Sequence, residues 1–529
     1  MRGAPAGTLP AMVSALSERV QCEALRRKLM PVEAAVRHVR DRDTLAVSGF
    51  TKAGEPKTFL LALPAHLATL GPDARISLFS GASLSEEIEG GLAPFIARRA
   101  PYMASDASRR LIHAGKMNYT DVHLSHFARG VMYGFYGEID LAVIEVTRIR
   151  PDGSVVLSAS VGVSAEALAK ARAIVLEVNT ALPDMASLHD IVLPPAPPTI
   201  GWPIPVTGVR DRVGLPYVPL DPARVVAVVE SQRPDYPVAF TADEALCGQI
   251  ARNVIAFLVE CRDRFDWHHW VPPLQSGVGN IANAIVAELH RSPFTRLHFW
   301  TEVFQEGMLG LLADRDRFAG ASSTALSLAD TTPARLARIV DEARGDLVLR
   351  PMWMSNNPEI ISRLHVVAMN TPLEVDIYGH VNSTHIEGSR IVNGIGGSGD
   401  FFRNAYLSVA HTPSVRHLRD GRTVSCVLPF VSHVDHTEHD IKCIVTEQGY
   451  ATQLGICSPR ARAHEIIERC AHPHFRPLLR QAVALADGGD EPRISKPERL
   501  AGWSRDYHAA CSEFPRPGVG AGQPLLRRR

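Results

Sequence analysis

Short, continuous apolar runs alternate along the chain with segments of helical periodicity. Thr44–Val47, Ile76–Phe79, Leu141–Val146, Ala173–Val178 and Val225–Val229 are rich in β-branched residues. That is the composition of strands buried on both faces, as in a parallel sheet. Helix signals lie between them. Thr241 and Glu244 form a capping box ahead of Leu246, Ile250, Val254 and Leu258. Thr332-Pro333 and Ser458-Pro459 each place a capping residue before a first-turn proline. Alternation of this density predicts an α/β protein, with mostly parallel sheets and flanking helices.

Prolines cluster between Pro194 and Pro222, in LPPAPPTIGWPIPVTG and then LPYVPLDP, and the run Val225–Val229 follows directly. This break predicts two α/β domains, 12–220 and 221–512. The 529 residues are enough for two to four domains of roughly 100–200 residues each. Residues 1–11 and 513–529 lack periodicity and are expected to be disordered.

Composition narrows the function classes. Lys and Arg number 56, Asp and Glu also 56, so the formal net charge is zero. A protein whose main partner is nucleic acid or an anionic membrane surface needs a cationic excess, and both partners are therefore disfavoured. No apolar stretch reaches the length of a membrane span. The first residues show no apolar core of a secretory leader, so the expected location is cytoplasmic. The eight cysteines, Cys22, Cys247, Cys261, Cys426, Cys443, Cys457, Cys470 and Cys511, form no C-x-x-C pair. They read as small core residues rather than a zinc or disulfide framework.

Four segments carry candidate chemistry. In Gln275–His290, QSGVGNIANAIVAELH, Gly277 and Gly279 precede a helix. This is either a phosphate cradle at a helix N-terminus or a tight strand-to-helix loop. In LHFWTEVFQEGMLGLL, Glu302 follows the strand-like LHFW. There it is either a ligand-facing carboxylate at the carboxyl edge of a sheet or a solvated acid at a helix start. NGIGGSGDFFRNA, Asn393–Ala405, holds four glycines in six residues, a density that favours close approach of a phosphate or oxyanion to the main chain. Asp400, Arg403 and Asn404 supply polar groups immediately afterwards. Finally, VSHVDHTEHDIKC carries His433, Asp435, His436, Glu438, His439 and Asp440. The spacing is not H-E-x-x-H, and a hydrogen-bonded network is preferred there to a metal site.

Together with SGFTKAGEPK, MNYTDVHLSH, NNPEIISRL, MNTPLEVDIYGHVNSTH and VTEQG, these segments resemble the acetyl-CoA hydrolase/transferase family. Within it they are similar to the succinyl-CoA:acetate CoA-transferases, from about residue 45 to about residue 465. The resemblance implies two related open α/β domains of the CoA-transferase type, paired as a homodimer. It also implies no metal and no permanently bound cofactor, with coenzyme A a substrate. The glutamate of its TEV motif, here Glu302, is the implied nucleophile. Asn356 and the backbone N–H of Gly397 are implied oxyanion donors, and Glu447 of TEQG a further catalytic residue. The CoA contacts map onto Gln275, Ser276, Gly277, Val278, Gly279, Asn393 and Gly397.

Three departures concern the acid substrate and CoA. Tyr236 stands after Pro-Asp where the resemblance predicts an arginine that holds a carboxylate. YATQLG, Tyr450–Gly455, replaces the usual residues after TEQG. The stretch Ser414–Gly421 is longer than usual, which leaves a family lysine for CoA without a clear counterpart among Arg416, His417 and Arg419. The expected function is CoA transfer between an acyl-CoA and a short carboxylic acid. Acyl-CoA hydrolysis on the same scaffold, a non-catalytic CoA-responsive binder and a metal-dependent hydrolase built on His433–Asp440 are the alternatives, in that order.

Overall fold

A computed structural model describes residues 16–238, 244–386, 390–455, 457–486 and 497–514. All five apolar runs are strands, each extended by no more than a few residues. Two eight-stranded sheets organise the chain. The first runs in the order Asn118–Tyr119, Ile96–Ala100, Ile76–Phe79, Thr44–Val47, Leu141–Ile149, Ala173–Asn179, Val225–Ser231, all parallel. Val155–Leu157 pairs antiparallel with Leu141–Ile149.

The second runs Leu347–Leu349, Phe318–Ser323, Leu297–Trp300, Leu274–Ser276, Val367–Asn370, Leu407–His411, Cys443–Thr446, also parallel. The hairpin strand Gly449–Thr452 closes it. Helices cover both sheets, as the alternation predicts.

One boundary differs. Val225–Ser231 pairs in parallel with Ala173–Asn179, from Ile174 opposite Val225 to Asn179 opposite Ser231. The first sheet therefore closes at Ser231, beyond the division at 220/221 expected from the prolines. Those prolines mark a crossover connection, and it packs on the second domain. His189 bridges Leu349, and Arg363 donates to the carbonyl of Ile204 at 2.9 Å and to that of Val206. An apolar run identifies a strand but not the sheet it joins.

The helix signals hold with variations. Glu244–Phe265 is one helix, with Ile250, Val254 and Leu258 in the core. Its expected cap Thr241 lies outside the described residues. Ser458 caps Pro459–Cys470 by accepting from Ala461 N at 3.3 Å, whereas Thr332 precedes its helix without a side-chain cap bond. The segments expected to be disordered lie outside the described residues except for Glu513, which ends the last helix, and Phe514, whose ring stacks on Phe475. The eight cysteines are free thiols, seven buried and Cys457 exposed.

Buried charged side chains, Glu145 and Glu177 among them in the middle of apolar strands, organise the first domain. Lys57 Nζ lies 2.7 Å from Glu145 Oε2 and 2.8 Å from Asp235 Oδ1, all three buried. Glu177 accepts from Thr58 N at 3.0 Å and Phe59 N at 2.8 Å, so a buried carboxylate serves the first turn of the helix Lys57–Thr69. Removing one partner of such a buried set costs about 3–5 kcal/mol, because a charge is left unpaired.

The two domains meet along main chain. Val161 N donates to Thr324 O at 2.8 Å and Leu326 N to Ala159 O at 3.0 Å, with Ser160 bridging Ala325. This seam fixes the segment that carries Glu302.

Candidate active site

Leu297–Trp300 delivers the chain to the carboxyl edge of the second sheet. The buried Trp300 indole N–H donates to Ser355 O at 2.8 Å, and Thr301 Oγ1 donates to Ser276 O at 3.0 Å. Glu302 comes next, its carbonyl accepting from Thr324 N at 2.8 Å and Ala325 N at 3.2 Å. It precedes the short strand Val303–Gln305, and the helix starts only at Glu306. The reading of Glu302 as a solvated acid at a helix start therefore fails.

The Glu302 carboxylate is partly covered, and Oε1 accepts from Asn356 Nδ2 at 2.8 Å. Asn356 is fully buried, and its Oδ1 accepts the Ser355 hydroxyl at 2.8 Å, which fixes the amide so that nitrogen faces the glutamate. Gly397 closes the other side: a Cβ there would overlap both the Glu302 carboxylate and the Asn356 amide nitrogen. Loss of solvation raises the Glu302 carboxyl to about 7, opposed by the Asn356 bond and reinforced by the Asp400 carboxylate. A carboxylate poised this way is ionised over part of the neutral range and has donors set beside it. It can act as a nucleophile or a base.

The expected CoA residues divide. Gln275 is fully buried and its side chain is spent on Asn370. Gln275 Nε2 donates to Asn370 Oδ1 at 2.9 Å, and Gln275 Oε1 accepts from Asn370 Nδ2 and Met369 N at 3.0 Å each. The turn Ser276–Gly279 leads into the helix Asn280–Arg291, with Val278 exposed. Thr301 binds it through Ser276 O and Gln305 through Gly277 O at 2.6 Å, so the turn is tied to both flanks of Glu302. Asn393 lies on the Gly397 loop and donates to Ser383 O at 3.1 Å and Gly394 O at 3.0 Å.

Glu447 stands apart. Its carboxylate accepts from Ser414 N at 2.9 Å, from the Ser414 hydroxyl and from Gln448 Nε2 at 3.0 Å, anchoring a hairpin turn rather than joining Glu302 and Asn356.

The histidine-rich segment is a chain of hydrogen bonds. His380 lies between Asp376, 2.9 Å from Nδ1, and Glu438, 2.7 Å from Nε2. Those carboxylates raise its pKa, the bond to Asp376 most of all. His436 Nε2 is 3.1 Å from Ser398 Oγ, next to Gly397, and burial lowers its pKa to about 4, keeping the ring neutral. Among the described residues no three of these groups are placed to hold one metal ion.

Sequence reasoning missed the first domain's share of the site. Gly394 lies against Tyr119, Asp121 and Tyr102, and Gly399 against His123, each too close for a Cβ. Asp121 accepts from Ile395 N at 2.9 Å, and Ser125 donates to Asp400 through N at 3.1 Å and Oγ at 2.6 Å. The glycine density thus serves packing between domains as well as the approach to Glu302. MNYTDVHLSH was visible as a motif, but nothing local shows which loop it meets.

Residues 13–230 match the acetyl-CoA hydrolase/transferase N-terminal domain, and residues 333–483 the C-terminal domain of the same family. The chain belongs to this family. It is 41% identical over 515 residues to an acetyl-CoA hydrolase of Schizosaccharomyces pombe, covering 91% of this chain and 96% of that protein. It is 42% identical over 475 residues to a propanoyl-CoA:succinate CoA transferase of Escherichia coli, covering 87% and 94%. Among solved structures, RipA from Yersinia pestis superposes with a TM-score of 0.67 at 24% identity over 87% of this chain and 98% of that one. A 4-hydroxybutyrate CoA-transferase from Porphyromonas gingivalis gives 0.59 at 19%, also over 87% and 98%. These last two establish the CoA-transferase type of fold. The protein is thus an enzyme of a family whose members include both acetyl-CoA hydrolases and CoA transferases. No helix among the described residues is long and apolar enough to cross a membrane.

Proposed function

We propose that the protein is a CoA-transferase moving CoA between an acyl-CoA and a short carboxylic acid, with Glu302 as covalent nucleophile. The observation that carries this reading is the partly covered Glu302 carboxylate set against Asn356 and Gly397.

A Glu302 oxygen attacks the thioester carbonyl, the C–S bond breaks, and CoA leaves as thiolate from a mixed anhydride. The thiolate then attacks the glutamyl carbonyl, forming a glutamyl-CoA thioester and releasing the first acid as carboxylate. An acceptor carboxylate attacks that thioester, and the two steps run in reverse to give the new acyl-CoA. Each tetrahedral step places charge on an oxygen, for which the Asn356 amide and the Gly397 N–H are the proposed donors. Losing one such donor costs about 3–4 kcal/mol of transition-state stabilisation.

CoA would lie along Ser276–Gly279, Asn393 and Gly397. Gln275 would shape that turn from beneath, since its side chain is already paired, and Glu447 would act at one remove through Ser414. The reading includes a cytoplasmic homodimer that needs no metal or prosthetic group.

Relatives named acetyl-CoA hydrolase favour a second reading, in which water resolves the mixed anhydride. One experiment separates the two. The protein is given acyl-CoA with no acceptor and then with acetate, succinate or longer acids. Transfer predicts CoA bound covalently at Glu302, sensitive to borohydride, and turnover only with an acid. Acceptor-independent release of CoA at full rate would establish hydrolysis instead.

A further inference from the structure

Glu302 and Asn356 come from different elements, so something beyond either element must hold them 2.8 Å apart. Glu302 follows the strand Leu297–Trp300, whereas Asn356 caps the single helical turn Met352–Ser355. A turn of four residues has too few internal bonds to keep its own place. The last carbonyls of a helix also have no partner within it. Trp300, two residues before the nucleophile, supplies one: its indole N–H donates to Ser355 O at 2.8 Å. The Ser355 hydroxyl is the next link. It has one proton to give, and Asn356 Oδ1 at 2.8 Å is a closer acceptor than Met352 O at 3.3 Å.

Trp300 is itself held. It is fully buried, and the Arg350 guanidinium lies over its ring, with Cζ 5.3 Å from the centroid. Arg350 is fully buried as well. Its Nε donates to Ser322 Oγ at 2.8 Å, and its other two nitrogens donate to the Asp190 carboxylate and the Asp211 carbonyl. The indole is thus backed by a cation whose own position is fixed by three acceptors, two of them on the crossover connection.

We infer that Trp300 is a positioning residue: acting through Ser355, it sets the spacing and the aim of the Asn356 amide against the Glu302 carboxylate. The inference rests on the covalent role proposed for Glu302, and it gives Trp300 no contact with substrate. The indole bond fixes the last residue of the turn, and the Ser355 hydroxyl fixes which end of the amide faces Glu302. Losing the indole bond lets the Asn356 donor drift without removing it. A misplacement of about 1 Å costs on the order of a hundredfold in rate, while contacts to distant parts of CoA are untouched.

The test uses the intact protein, with Trp300→Phe compared with wild type, alone and combined with Asn356→Ala. Phenylalanine keeps an aromatic ring against Arg350 and removes the N–H. Wild type is first checked for the glutamyl-CoA thioester. Its absence sinks the functional reading, whereas its presence leaves Trp300 to be judged on its own. Trp300→Phe is expected to lower kcat about tenfold to a hundredfold, with KM for the acyl-CoA near wild type. Because Trp300 acts through Asn356, the double variant should match Asn356→Ala alone within about twofold, whereas independent sites would show losses that multiply. Unchanged kcat, a KM that rises in step with the loss, or multiplied losses in the double variant would overturn the inference. If Trp300→Phe fails to fold, Ser355→Ala decides: reduced kcat at unchanged KM, with no further loss on top of Asn356→Ala, supports the chain of contacts, and wild-type kcat ends it.

Discussion

Gly397 lies so close to Glu302 that no side chain fits between them. The first atom of any side chain at 397 would coincide with the glutamate carboxylate and press on the Asn356 amide. The backbone there is ordinary, with φ at −92°, so the demand for glycine is one of space and not of conformation. Gly397→Ala should therefore fold, with a melting temperature within a few degrees of wild type, yet lose at least a hundredfold in kcat, since the loop must move and a donor is misplaced. Enzyme assays beside thermal denaturation check this. Near-wild-type kcat would mean that the loop is not packed on the nucleophile during turnover.

A second expectation follows from the covering of Glu302. Only the carboxylate attacks a thioester, and its pKa is raised to about 7. Activity should therefore fall as pH drops through 7, a unit or more above the point expected for a solvated glutamate. The acid limb of kcat/KM against pH, measured with a fixed acyl-CoA, reads this directly. A limb near 4.5 would show that the carboxylate reacts from a solvated state.

LHFW and the next two residues bring Glu302 to a strand's carboxyl end, which left a ligand-facing and a solvated reading open, and only the TEV motif of the resemblance chose between them. Asn356 and Gly397 came from motif resemblance, and no periodicity places them beside Glu302. The partners of the glycine loop stayed hidden for a similar reason. Four glycines announce that something comes close, and a phosphate was the natural guess, but Tyr119, Asp121 and His123 approach from a part of the chain some 270 residues away. Strand positions were legible throughout, since continuous β-branched runs need no partner to be recognised. The membership of Val225–Ser231 in the first sheet was not, because pairing with Ala173–Asn179 is a long-range choice.

Glu166 tests a different consequence of burial. It is fully buried in the helix Ser164–Lys170, and neither carboxyl oxygen has a hydrogen-bond partner among the described residues. Desolvation raises its pKa to about 8. The folded state then holds a proton that the unfolded chain releases near 4.5, so this group's contribution to stability falls as pH rises between those values. Glu166→Gln carries no charge at any pH. It should be more stable than wild type above pH 8, by on the order of 4 kcal/mol, with the gain shrinking toward pH 5. Denaturant melts at pH 5 and pH 8.5 decide the matter, and a difference independent of pH would show that Glu166 is solvated or paired.

Tyr236 bears on which acid the enzyme uses. It is half-buried at the domain seam, in a small pocket lined by Thr51, Leu326, Ser327 and Leu336, and burial together with the nearby Glu87 carboxylate raises the pKa of its hydroxyl. It is thus not an idle surface residue. The neighbouring Leu326 continues the segment whose N–H groups hold the Glu302 carbonyl, so the pocket adjoins the nucleophile's own backbone. An arginine at 236 would bind a carboxylate through paired charge-assisted hydrogen bonds, whereas a tyrosine offers an aromatic face and one neutral hydroxyl. If the acceptor acid enters this pocket, wild type should use succinate poorly and prefer bulkier monocarboxylates. Tyr236→Arg should then shift kcat/KM toward succinate by about tenfold, or roughly 1.4 kcal/mol of transition-state binding. Glu87 limits the gain, because it competes for the new guanidinium, so the double change with Glu87→Gln should shift the ratio further. An acceptor profile identical in wild type, single and double variants would place the acid site elsewhere along the seam.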